Sequence, residues 1–184
     1  MSQARSGSFG RRSPGRGPAD KRCWSDSVPS MTKDKLQAGD RAPAIGLKDQ
    51  NGQIVRLSSF KGQKVLVYFY PKADTPGCTK QSCGLRDIAG EIGTTAIVGV
   101  SPDLPDKQQR FDDKYSLGFP LLSDSDHKVA EAYGVWGEKV NYGRKYMGIV
   151  RSAFLIDEKG KVQEAWYKVS ANDTPKNLLK ALAG

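Results

Sequence analysis

The chain predicts an α/β domain, a mixed central β-sheet flanked by helices with a β-hairpin at its N-terminal side, and three observations carry the prediction. Residues 64–70 (KVLVYFY) form a nearly continuous run of apolar, β-branched and aromatic side chains, the pattern of a strand buried on both faces. Residues 95–101 (TAIVGVS) repeat that pattern and read as a second central strand. Helical and strand patterns then alternate and end in a hairpin and a helix, which places helices against a sheet.

Taken in order, residues 44–48 and 54–57 flank Asp49-Gln50-Asn51-Gly52, whose Asn-Gly dipeptide is a strong hairpin turn. The first buried strand follows, and a helix is expected from Pro76. After the second strand, residues 105–117 read as a polar-faced helix with Phe111 and Tyr115 four apart. Residues 119–122 make a short strand, and residues 126–133 a short helix capped by Ser125 or Asp126. Residues 149–157 and 162–168 form an antiparallel hairpin around Glu158-Lys159-Gly160. Thr174-Pro175 caps a last helix over residues 176–183, with Leu178, Leu179 and Leu182 on one face. No internal repeat is found.

At 184 residues the chain is long enough for one well-buried domain and short for two. Its net charge of +9 is uneven: residues 1–30 hold six basic residues against Asp20 and Asp26, so this leader carries +4. The remainder has an ordinary solvated surface that calls for neither nucleic acid nor membrane. No run approaches the roughly 20 apolar residues of a membrane helix, and the leader lacks the apolar core of a secretory signal. Three cysteines are too few for a disulfide scaffold and fit a reducing compartment, so a cytoplasmic protein is expected. Rich in Ser, Gly, Pro and Arg, residues 1–30 are expected to be disordered, with residues 31–184 the folded domain. The favoured explanation is that Met31 is the true start. An organellar transit peptide and a basic tail touching nucleic acid remain open beside it. Cys23, within the leader, reads as an incidental thiol.

The chemistry concentrates at Cys78 and Cys83. Tyr70 ends the buried strand and Pro71 stops its ladder, so the backbone turns out at the sheet edge where open α/β sheets place their sites. Thr75 is a good N-cap residue and Pro76 suits the first helical position, so Cys78 falls in the first turn. There the unpaired N–H groups and the helix dipole favour an anion, which makes a nucleophilic thiolate. The competing reading, a small buried apolar thiol, is disfavoured by the Thr-Pro-Gly that precedes Cys78.

Cys83 lies five residues further along the same helix, which separates the two Cα atoms by about 8 to 9 Å. A disulfide needs less than about 7 Å, so bonding requires the first turns to unwind. Gly84 lowers the cost of that opening by about 1 kcal/mol relative to alanine. A second buried thiol with no role is the alternative for Cys83. A zinc site fails on ligand count, since His127 is the only histidine and is expected in an exposed first helical turn.

The pattern Pro71-x-x-x-Thr75-x-x-Cys78, residues 75–87 (TPGCTKQSCGLRD), 100–103 (VSPD), 119–124 (FPLLSD) and 133–157 together resemble the peroxiredoxins of the bacterioferritin comigratory protein, or peroxiredoxin Q, subfamily. The resemblance is collinear over about residues 36–184 and leaves out the leader. It implies a thioredoxin-like fold and thiol peroxidase activity, with Cys78 as peroxidatic and Cys83 as resolving cysteine. It also implies roles for Thr75 and Arg151 in orienting the peroxide, with Pro71, Pro76 and Gly77 supporting the loop. No metal or organic cofactor is implied. The implied partners are a peroxide and thioredoxin or a similar dithiol, in a monomeric protein. Two rivals stand beside this reading. One is a thiol-disulfide oxidoreductase or redox sensor, which usually carries the C-x-x-C that is absent here. The other is a nucleic-acid-binding protein acting through the leader.

Overall fold

The computed structural model describes residues 35–184, so the expected leader, Cys23 and the Met31 start lie outside the described residues. An N-terminal hairpin pairs β1 (Gly46–Lys48) with β2 (Ile54–Arg56), Gly46 opposite Arg56 and Lys48 opposite Ile54. The Asp49 carboxylate orders the turn by accepting the Asn51 and Gln53 amides, both at 2.9 Å. Gly52, at φ 78°, takes the left-handed position that the Asn-Gly signal predicts.

A single 3-10 turn at Leu57–Phe60 leads into β3 (Val65–Phe69), and α1 (Pro76–Asp87) follows. Then come β4 (Ala96–Ser101), α2 (Pro105–Tyr115), β5 (Leu121–Ser123) and α3 (Lys128–Ala132). A second hairpin, β6 (Trp136–Asn141) with β7 (Arg144–Ile149), forms its own two-stranded sheet. The chain ends with β8 (Ser152–Ile156), β9 (Val162–Trp166) and α4 (Asp173–Ala183).

Seven strands make the main sheet in the order β2-β1-β5-β4-β3-β8-β9. The β3, β4 and β5 strands run parallel, while β8 lies antiparallel to β3 on its other side. All five residues of β3 are buried, and their alternation divides the core. Val65, Val67 and Phe69 join Val98, Leu122, Tyr133 and Phe154 on one face. Leu66 and Tyr68 join Leu85 of α1, Phe111 of α2 and Leu178 of α4 on the other. The mixed sheet flanked by helices, with its N-terminal hairpin, is therefore present as the sequence predicts.

Four local expectations are corrected. The helix expected over 126–133 spans only Lys128–Ala132, because His127 enters the left-handed region at φ 60° and delays it. Its end is held by neither Ser125 nor Asp126 but by Asp124, whose fully buried carboxylate accepts the Val129 and Ala130 amides at 3.2 and 2.7 Å. The strand expected over 149–157 is two: Ile149 closes β7, and β8 begins at Ser152 after a break at Val150-Arg151. The last helix starts at Asp173, and Thr174 does not cap it but sits inside, donating its hydroxyl to the Ser170 carbonyl. Finally, α2 stops at Tyr115 because Ser116 turns left-handed (φ 49°).

Asp124→Ala removes the acceptor for two buried amides at the start of α3 and should destabilise the domain by about 1–2 kcal/mol. The shift of the urea unfolding midpoint measures it, and an unshifted midpoint rejects the capping role.

Candidate active site

Tyr70, one residue beyond β3, still donates its amide to the Val100 carbonyl (3.0 Å), and Pro71 then ends the ladder as expected. The loop that follows is tied to its surroundings at two points. The Ala73 amide donates to the Asp103 carboxylate in the loop after β4 (2.6 Å). Asp74, left-handed at φ 58°, accepts Lys114 Nζ (2.9 Å) and the Tyr115 hydroxyl (2.9 Å) from α2. Those hydrogen bonds hold its carboxyl below the usual carboxylate range.

Thr75 occupies the N-cap position with extended backbone, and Pro76 takes the first helical position. The Thr75 side chain, however, does not cap: its hydroxyl donates back to the Lys72 carbonyl at 3.0 Å. The first helical bond runs from the Thr79 amide to the Thr75 carbonyl (2.8 Å), so the Gly77 and Cys78 amides precede the helical ladder. Cys78, third in the helix and fully buried, thus sits where helix amides favour an anion.

Arg151 arrives from the break between β7 and β8. Its Nη2 lies 3.5 Å from the Cys78 sulfur, while Nη1 donates to the Gly77 carbonyl (2.9 Å) and to Gln81 Oε1 (2.7 Å). Gln81 is buried and passes the contact on, its Nε2 donating to Thr174 Oγ1 at 2.9 Å. Gly77 makes room for the guanidinium, since a Cβ there would stand 2.9 Å from Arg151 Nη2. Beneath the helix, Tyr68 shares a 2.8 Å hydrogen bond with Ser82 and stacks on Tyr70, whose hydroxyl donates to Gln108. Burial pushes both tyrosines far above their ordinary range, so they remain neutral.

Cys83 lies on the same unbroken helix, half-buried, and both cysteines are free thiols. It borders an open cleft of about 390 Å³ with Asp74, Pro76, Thr79, Lys80, Lys114 and Tyr115. Gly84 has a packing role the sequence did not show: a Cβ there would meet Pro175 Cγ of α4 at 2.9 Å. His127 is not in an exposed first turn; it is half-buried and stacks on Trp136 with ring centres 3.8 Å apart. Among the described residues no group of three or more His, Cys, Asp or Glu side chains gathers into a metal site.

The structure therefore brings Cys78, Gly77 and Arg151 into contact, sets Thr75 and Pro76 at the mouth of the same helix, and leaves Cys83 one to two turns away. Sequence reasoning missed Gln81 and gave Thr174 only a capping role. The only available signal for Gln81 was its place three residues after Cys78, on the same helix face.

A free thiol at the first turn of the helix that follows a central strand, met by a guanidinium from the residue just before the neighbouring antiparallel strand, defines a thioredoxin-like thiol enzyme. The chain belongs to the AhpC/TSA family, whose model matches residues 38–165. Peroxiredoxin Bcp of Escherichia coli is 51% identical over 150 residues, covering 79% of this chain and 96% of that protein. Peroxiredoxin Bcp of Bacillus subtilis is 44% identical over 149 residues, covering 80% and 95%. The fold matches the Xanthomonas campestris bacterioferritin comigratory protein with TM-score 0.74 at 34% identity, over 79% of this chain and 97% of that one. These likenesses make it a peroxiredoxin of the Bcp/peroxiredoxin Q type, a thiol peroxidase in antioxidant defence. Among the described residues no helix is long and apolar enough to cross a membrane.

Gly77→Ala should displace the guanidinium and slow oxidation of the protein by hydrogen peroxide about ten- to hundredfold. Alanine is the better helix former, so unfolding stability should stay within about 1 kcal/mol. Stopped-flow fluorescence and a thermal melt read the two effects, and an unchanged oxidation rate rejects the role given to Gly77.

Proposed function

We propose that Cys78 is the peroxidatic cysteine, that Cys83 resolves it within the same chain, and that the substrates are hydrogen peroxide and organic hydroperoxides. The observation that carries this is the 3.5 Å approach of Arg151 to the Cys78 sulfur at a helix N-terminus, since both favour a thiolate. The X. campestris relative is described by its alkyl peroxide reduction activity, which supports the organic substrates.

The Cys78 thiolate attacks the terminal oxygen of the peroxide; the O–O bond breaks, sulfur becomes a sulfenic acid, and hydroxide or alkoxide leaves and takes a proton. Arg151 and the first-turn amides stabilise the departing charge. Because the Thr75 hydroxyl already donates to Lys72, its oxygen is left to accept the peroxide O–H. Donors on one side and an acceptor on the other fix which oxygen meets the sulfur.

Two cysteines held about 8 to 9 Å apart by helix geometry cannot bond until the first turns of α1 open. Cys83 then attacks the sulfenic sulfur, giving a disulfide and water, and a dithiol reduces it by exchange. Thioredoxin is the proposed reductant, reaching the pair from the open cleft at Cys83. The enzyme acts as a cytoplasmic monomer, in keeping with a disulfide that closes within one chain.

Cys78→Ser should abolish peroxide turnover coupled to thioredoxin and its reductase, and undiminished activity rejects the assignment. Cys83→Ser should undergo one oxidation and stall as a sulfenic acid, trapped by dimedone and read by mass spectrometry. Normal cycling of that variant removes Cys83 from the mechanism.

A further inference from the structure

Between its two cysteines, α1 is held mainly by hydrogen bonds. The buried residues of the helix are Cys78, Gln81, Ser82 and Leu85, and of these only Gln81 and Ser82 lie between the thiols. Ser82 is tied to the Tyr68 hydroxyl of β3 at 2.8 Å. Gln81 is tied twice, to Arg151 and to Thr174, the second residue of α4.

The ties of Gln81 run in one direction. A guanidinium can only donate, so Arg151 Nη1 fixes Gln81 Oε1 as the acceptor at 2.7 Å and turns Nε2 toward Thr174 Oγ1 at 2.9 Å. Thr174 gives its one hydroxyl proton to the Ser170 carbonyl at 3.0 Å, which leaves its oxygen to accept from Gln81. Beside Ser170, the Val169 amide donates to the Arg151 carbonyl at 3.1 Å. The connection between β9 and α4 therefore holds Arg151 at both ends, its backbone directly and its guanidinium through Thr174 and Gln81.

The structure assigns Thr174 to the thiol site as a positioning residue: through Gln81, its hydroxyl latches the turn of α1 between Cys78 and Cys83 and steadies the guanidinium that meets the sulfur. The inference rests on the reading of Cys78 as the attacking and Cys83 as the resolving thiol.

That turn must unwind before the two sulfurs can bond. Gln81 then leaves its buried place, so Arg151 loses an acceptor and Thr174 a donor. Hydrogen bonds exchanged for water cost little in net terms, whereas exposing the buried Leu85 side chain is unfavourable. The polar stretch can open, and Leu85 with the Gly84–Pro175 contact marks where opening stops. Without the Thr174 hydroxyl, Gln81 Nε2 lacks this partner in the closed helix, while in the open one water reaches it. Only the closed state is weakened.

The two chemical steps then respond in opposite senses. Attack on the peroxide needs the closed helix and a fixed Arg151, so it slows. Resolution needs the open helix: the Cys83 sulfur attacks the sulfenic sulfur of Cys78, the S–O bond breaks, and the departing hydroxide takes a proton to become water. A larger open population speeds that step.

The test compares Thr174→Val, which keeps the shape without the hydroxyl, and Thr174→Ser, which keeps the hydroxyl. In the full chain, stopped-flow mixing with hydrogen peroxide gives the oxidation rate, and dimedone trapping read by mass spectrometry gives the lifetime of the sulfenic acid before the disulfide closes. Hydrogen exchange over residues 79–83 reads opening of the helix in the reduced protein. In Thr174→Val oxidation should slow about three- to tenfold. Disulfide closure and exchange should both quicken about three- to tenfold, and Thr174→Ser should return all three toward the parent. Unchanged closure and exchange in Thr174→Val overturn the inference, as does a slowing of both chemical steps together. Should Thr174→Val fail to fold, Gln81→Met, which leaves the start of α4 intact, carries the same expectations and the same overturning results. If the parent forms no Cys78–Cys83 disulfide, it is the resolving reading that fails, and exchange over residues 79–83 alone decides the latch.

Discussion

A guanidinium is set against the fully buried Cys78 sulfur, and it is delivered there across the sheet. The β3 and β8 strands pair antiparallel with Phe69 opposite Ser152, so β8 begins where β3 ends. The residue just before β8, Arg151, therefore emerges beside the loop that carries Cys78, although 73 positions separate the two in sequence. The break between β7 and β8 frees Arg151 from ladder pairing, while its carbonyl accepts the Val169 amide at 3.1 Å and keeps the backbone in place. The register of two buried strands thus sets the electrostatics of one sulfur.

On the proposed mechanism the helix that positions Cys78 must also release it. The contacts holding α1 are unequally distributed along its length. Its later turns carry Arg86, which donates to the Tyr115 carbonyl at 2.6 Å, and Gly84, which lies against Pro175. Its first turn is held by Arg151, on the Gly77 carbonyl and against the Cys78 sulfur. On the proposed mechanism, Cys78 reacts as a thiolate, and oxidation converts it into a neutral sulfenic acid and removes the charge facing the guanidinium. Chemistry at the sulfur thereby weakens the turn that has to open, and the later turns remain anchored.

Much of this arrangement is legible in the sequence where hydrophobic pattern and helix-start chemistry coincide. The run 64–70 had to be a doubly buried strand, and Thr75-Pro76 placed Cys78 in a first turn whatever the rest of the fold. Arg151 was legible only through family resemblance, because a strand register is not written in either strand alone. The β6–β7 hairpin escaped notice for a local reason. Its turn residues are Tyr142 and Gly143, both left-handed at φ 49° and 76°, and a tyrosine stands where Asn or Gly would have announced the turn. Asp124 escaped as a cap because left-handed His127 shifts the helix start past the nearer Ser125 and Asp126.

Burial also sorts the two thiols by the size of what can reach them. Cys78 is enclosed by the helix mouth, Arg151 and the aromatic floor, so attack there in the closed state suits a small electrophile. Cys83 faces a cleft whose rim carries Lys80 and Lys114, a surface that can meet a macromolecule. A peroxide is small and a protein dithiol is large, and on the proposed mechanism an intrachain disulfide connects the two environments. It moves the oxidised sulfur from a closed site to an open one. The loop tie between Asp74 and α2 lies between these environments and links the mouth of α1 to the cleft wall. In the proposed mechanism, opening of the first turn and exposure of the disulfide are one event, since the cleft is built partly from Pro76 and Thr79, residues of the first turn of α1.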